Sequence, residues 1–128
     1  MPRRAIFFLA VCASVGGCGK REKSTAELIA DLKGSSARDQ LIAVRLLPQR
    51  KGDAAQVIPA LTEALKDKDN DIRLSAAIGL GSFGEEAKEA VPALQAARQD
   101  KDARIREAAT VALKRIDPAA APKADAKR

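Results

Sequence analysis

Carboxylates are the only clustered side chains in this chain with reactive or metal-binding chemistry. The 128 residues contain no His, Trp or Tyr, and both cysteines, Cys12 and Cys18, lie within the first 18 positions. Imidazole acid–base catalysis and transition-metal sites built on His or Cys are therefore excluded. The segment Asp67-Lys68-Asp69-Asn70-Asp71, with Asp100 and Asp102 further on, offers alternating oxygen ligands of the kind a hard cation such as calcium takes. It lacks the turn glycine and the distant bidentate Glu of a calcium loop, and helix capping accounts for the same residues. Ser24, Ser35, Ser36, Ser75 and Ser82 have no accompanying base and suit caps or turns. No catalytic residue, metal site or cofactor is expected.

The elements that position these residues begin after a leader. Arg3 and Arg4 precede an apolar run, Ala5 to Val15, which is too short to span a bilayer and reads as a secretory signal. Val15-Gly16-Gly17-Cys18 resembles a bacterial lipobox, an aliphatic residue and two small residues before a cysteine. The resemblance implies that residues 1–17 form a lipoprotein signal peptide, removed to leave an acylated Cys18 and a linker to Lys23. Two or three acyl chains would hold the chain at a membrane. Gly19 rather than Asp after the cysteine resembles the sorting pattern for the outer membrane, which implies an address in the bacterial cell envelope facing the periplasm.

The net charge of +6 does not mark a nucleic-acid binder. The excess lies in the leader, in Lys20–Lys23 and in the tail after Pro118, whereas residues 24–117 carry equal numbers of acids and bases. No basic face is built into the folded part, and Phe83 is the one aromatic outside the leader, so bases have nothing to stack on.

Between leader and tail the chain repeats itself every 33 residues. Pro59-Ala60-Leu61 returns as Pro92-Ala93-Leu94, Asp67-Lys68-Asp69 as Asp100-Lys101-Asp102, Ile72-Arg73 as Ile105-Arg106, and Ala76 and Leu80 as Ala109 and Leu113. A fixed period of this length marks stacked supersecondary units that cannot bury their apolar stripes alone. Ser24-Thr25-Ala26-Glu27 has the spacing of a capping box and opens a degenerate first unit in which Leu28 aligns with Leu61 and Leu94. Ser36, Asp69 and Asp102 share one register position and are expected to cap the second helix of each unit. The units are expected over residues 24–50, 54–84 and 85–117, with the second helix of the first running from Ala37 to about Arg50 and Asp53 capping the helix that follows. The face Ile72, Ala76, Gly79, Leu80 and Phe83 has helical spacing and should be core. Residues 118–128, rich in Ala, Pro, Lys and Asp, read as a disordered basic tail.

The recurring P-A-L, D-x-D and I-R-x-x-A pattern resembles HEAT repeats, in particular the short bacterial type named after the phycobilisome lyases. The resemblance implies an all-α fold, a short α-solenoid of about three helical hairpins. It also implies a ladder of Asp–Arg hydrogen bonds linking successive units. Asp67 with Arg73 and Asp100 with Arg106 have the spacing; Gly34 and Gln40 stand at these positions in the first unit, where the ladder should be absent.

Opposite the core stripe, Leu74 and Ile78 stand where such repeats usually carry polar residues, and Leu41 and Val111 align with them. A patch formed by Leu41, Leu74, Ile78 and Val111 is expected to bind a protein partner of unknown identity. The expected function is that of a non-catalytic, membrane-tethered protein-interaction module. The alternatives are an accessory subunit of a phycobilin-lyase type of enzyme, an electrostatic tether to anionic lipid or cell wall, and a homo-oligomer closing the open end of a short array.

Overall fold

The structure is a computed structural model that describes residues 21–121. The leader 1–17, Cys18 and its lipobox, and the tail 122–128 lie outside the described residues. Six α-helices run in order within the described part: α1 (Thr25–Leu32), α2 (Ala37–Leu46), α3 (Ala54–Ala64), α4 (Asn70–Phe83), α5 (Val91–Ala97) and α6 (Ala103–Ile116). Consecutive helices pair as hairpins, and the second helices stack on one another as a layer, α2 on α4 and α4 on α6. The fold is an all-α solenoid.

Cap chemistry sets the helix starts. Ser24 and Glu27 exchange hydrogen bonds, the Ser24 Oγ accepting the Glu27 N–H at 3.2 Å and Glu27 Oε2 accepting the Ser24 N–H at 2.7 Å. Ser36, Asp69 and Asp102 stand at the N-caps of α2, α4 and α6, accepting from the Asp39, Asp71 and Arg104 N–H groups. Asp53 departs from its expected role. It makes no cap hydrogen bond to α3; its carboxylate instead accepts the Thr25 hydroxyl, joining the start of unit one to the start of unit two. The second helix of unit one also stops earlier than expected. Pro48 cannot donate a backbone bond, so the chain leaves α2 at Leu46 and passes through a 3₁₀ turn, Leu47–Gln49. A second 3₁₀ turn, Lys51–Asp53, leads into α3. Lys51 from that turn donates to the Ser82 carbonyl at 2.8 Å and lies 4.1 Å from the Phe83 ring centroid, placing a cation at the end of α4.

Gly84 ends α4 with φ of +60°, which a residue bearing a Cβ rarely adopts. A 3₁₀ stretch, Gly84–Ala90, then precedes α5, so the first helix of unit three is only seven residues long. The core runs continuously through all three units: Leu28, Val44, Leu47, Leu61, Ile72, Leu80, Leu94, Ile105 and Leu113 are fully enclosed. Small residues bring the helices close. A methyl group on Gly79 would come within 2.6 Å of Pro48 Cγ, and one on Gly81 within 3.1 Å of the Ala112 Cα. Asp117 accepts the Ala119 N–H on its carboxylate and the Ala120 N–H on its carbonyl, both at 3.0 Å, and Ala121 packs against the core.

Candidate partner-binding groove

The second-helix layer has one side turned to the core and one to solvent. Ile72, Ala76 and Leu80 take the core side of α4. At 3.6 residues per turn this sends Leu74 and Ile78 the other way. Between α4 and α6 lies a groove of about 320 Å³. Its α4 wall is Leu74, Ala77, Ile78 and Gly81, and its α6 wall includes Ala108, Val111 and Ala112. A second groove, between α2 and α4, shares Leu74 and Ile78 and adds Val44, Pro48 and Arg45. Ile78 is 58% exposed and Val111 43% exposed, high for large apolar side chains. Leu74 is half-buried between them, packed on the core.

Of the four expected contact residues, the structure brings together Leu74, Ile78 and Val111. Leu41 lies on α2, packs on the core, and lines neither groove. Arg104 and Arg115 stand at the rim of the α4–α6 groove, and the sequence reading overlooked them. They fall at spacings of seven and four residues on either side of Val111, a helical signal visible in the sequence. Arg104 bonds Asp102 at 2.8 Å, which raises its pKa and, reciprocally, holds the Asp102 carboxyl below its ordinary value. Arg115 has no carboxylate within 4.0 Å among the described residues.

Behind the groove, Arg73 fixes the spacing between units two and three. It donates through Nε and Nη2 to the Asp100 carboxylate at 2.8 and 3.3 Å, and through Nη1 to the Asp67 carbonyl at 2.7 Å. The hydrogen bond from Arg73 lowers the Asp100 pKa. Thus Arg73 takes a backbone carbonyl from its own unit and a carboxylate from the next. Arg106 repeats the first half of this arrangement, donating to the Asp100 and Lys101 carbonyls at 2.7 and 3.1 Å, but no carboxylate among the described residues meets it. Gln40 does the same in unit one, donating to the Gly34 carbonyl at 2.7 Å. The Asp67 and Asp69 carboxylates close turns, accepting the Asp69 and Asp71 N–H groups at 2.9 and 2.8 Å.

Helical hairpins stacked at a fixed period, joined by an Asp–Arg rung, define an α-solenoid repeat protein. Residues 25–114 match the family model for HEAT repeats, and the chain belongs to that family. No curated protein matches it. Among solved structures it is similar to a chain of the complex of CpcE and CpcF of phycocyanin lyase from Nostoc sp. PCC7120, with 26% identity and a TM-score of 0.71. That similarity covers 88% of this chain and 45% of the other, so this chain spans less than half the length of its structural relative.

Proposed function

We propose that this chain is a non-catalytic protein-interaction module whose partner sits on the α4–α6 groove. The observation that carries the reading is the joined pair of apolar grooves with Ile78 and Val111 standing out of them. Apolar side chains this exposed and this close together mark contact surfaces. Arg104, Glu107 and Arg115 border the α4–α6 groove, so charges of both signs rim an apolar floor. The lipobox-like Val15-Gly16-Gly17-Cys18 supports tethering through acyl chains on Cys18 at the periplasmic side of an envelope membrane.

The test is capture of partners from detergent-solubilised envelope by the full chain and by an Ile78→Glu, Val111→Glu variant. Both positions are exposed, so the variant keeps its fold, whereas charge at half-buried Leu74 would also strain the core. Proteins retained by wild type and lost by the variant support the reading; an identical set from both removes it.

A second reading rests on the phycocyanin-lyase likeness: an accessory subunit that assembles with a second protein chain, as CpcE and CpcF form a complex. Chromophore transfer to phycocyanin that depends on adding this chain would favour it, and transfer indifferent to the chain would dismiss it.

A further inference from the structure

The two ends of the stack are finished differently. In α4, Gly79 meets Pro48 of unit one and Gly81 meets Ala112 of α6. Shifted by one period, the position facing the preceding unit falls on Leu46 in α2, and the one facing the following unit on Lys114 in α6. One turn away in each case lie Ile42 and Thr110. Thr110 and Lys114 suit an end that meets water. Ile42 and Leu46 do not, and they are 45% and 37% exposed.

Charged residues border this apolar pair: Arg38, Arg45 and, three residues before Ile42, the exposed Asp39. Arg38 lies four residues before Ile42 and Arg45 three after it, placing both guanidinium groups along the same stripe. Neither has a carboxylate within 4.0 Å among the described residues. The chain enters at this end: Glu22 and Lys23 line a small hollow with Leu46, and Arg50 donates to the Lys23 carbonyl at 2.9 Å. Cys18 precedes Arg21 by three residues, so an acyl anchor there lies within reach of Leu46.

We propose that this end of the solenoid rests on an anionic lipid surface, with Ile42 and Leu46 entering the headgroup layer and Arg38 and Arg45 on lipid phosphates. The proposal builds on the reading of Cys18 as the membrane anchor. The two guanidinium groups outnumber the one carboxylate on this stripe, Asp39, and an apolar face with a basic excess is what an interfacial helix presents to anionic lipid. A second copy fits less well. A stable interface buries roughly 800 Å² per partner, which two half-exposed side chains do not approach. A tethered chain needs far less, because its anchor already holds this end at high effective concentration near the surface.

The test uses full-length chain with Cys18→Ser, floated with vesicles of phosphatidylcholine alone or with one-third phosphatidylglycerol. Ile42→Ser with Leu46→Ser, and separately Arg38→Gln with Arg45→Gln, are compared with the parent. All share residues 1–20, so differences between them report the α2 face. Each pair of substitutions is expected to weaken binding to anionic vesicles about tenfold, with helical circular dichroism unchanged. Binding unaltered in both variants would overturn the proposal. So would equal binding to neutral vesicles with no loss in the arginine variant, or a dimer in light scattering that Ile42→Ser with Leu46→Ser abolishes. The anchor is read separately, from the mass of wild-type Cys18 after expression in a lipoprotein-processing host. Its failure leaves the Cys18→Ser comparison to decide the face on its own.

Discussion

Replacing Asp100 with Ala should cost far more stability than replacing Asp67, although the two residues hold the same place in successive repeats. Each carboxylate closes its own turn with one bond at 2.9 Å, to the Asp69 N–H in unit two and to the Asp102 N–H in unit three. Losing that bond alone costs about 1 kcal/mol. Asp100 also receives the Arg73 fork, in a pair whose side chains are 9% and 12% exposed. Asp100→Ala therefore leaves a nearly buried guanidinium without its counter-charge, for a total of about 3 kcal/mol, toward the low end for a broken buried pair. Urea unfolding of the full chain, followed by helical circular dichroism, measures the difference. The Asp100→Ala midpoint should fall about three times as far as that of Asp67→Ala. Equal shifts would refute the inter-unit rung as the source of cohesion. Gln40→Arg supplies a converse test. Gln40 and Asp67 line the same small cavity, so an arginine there should reach Asp67 and add about 0.5–1 kcal/mol. A double-mutant cycle with Asp67→Ala should remove that gain.

Other outcomes follow from the same contacts. Arg73 lowers the Asp100 pKa and Arg104 lowers that of Asp102, so the folded carboxyls sit below their unfolded values. The stability they contribute is whole above the unfolded carboxylate pKa of about 3.9 and is lost as pH falls through the lowered values. Urea midpoints should fall below about pH 4, and less steeply in Asp100→Asn; a profile identical in the variant would discount the ion pair. Gly81→Ala should destabilise by roughly 1 kcal/mol, because overpacking against the Ala112 backbone at 3.1 Å outweighs the gain in helix propensity. A stabilised variant in thermal unfolding would mean the α4–α6 approach is looser than the geometry indicates.

The repeat was legible because cap, stripe and rung chemistry recur at one period, so Ser36, Asp69 and Asp102 announce the same structural position with different side chains. What was not legible depends on contacts between distant residues. The spacing of Asp67 and Arg73 shows that both lie at one turn, but not that the guanidinium crosses to Asp100, 27 residues on. Asp53 looks like a cap by local sequence, and the hydroxyl of Thr25 takes its carboxylate. Leu41 and Leu74 occupy the same register, yet only Leu74 has neighbouring second helices on both sides, because α2 is the first of its layer. That position also leaves Ile42 and Leu46 exposed, which a pattern of apolar residues cannot distinguish from core.

The central claim, that the solvent face of the second-helix layer receives a protein partner, is tested most directly by site-specific photo-crosslinking in the native host. Crosslinkers at Ile78 and Val111 should yield the same discrete adduct, and one at exposed Gln56 on α3 should not. Adducts shared by all three positions, or arising from Gln56 alone, would contradict the account.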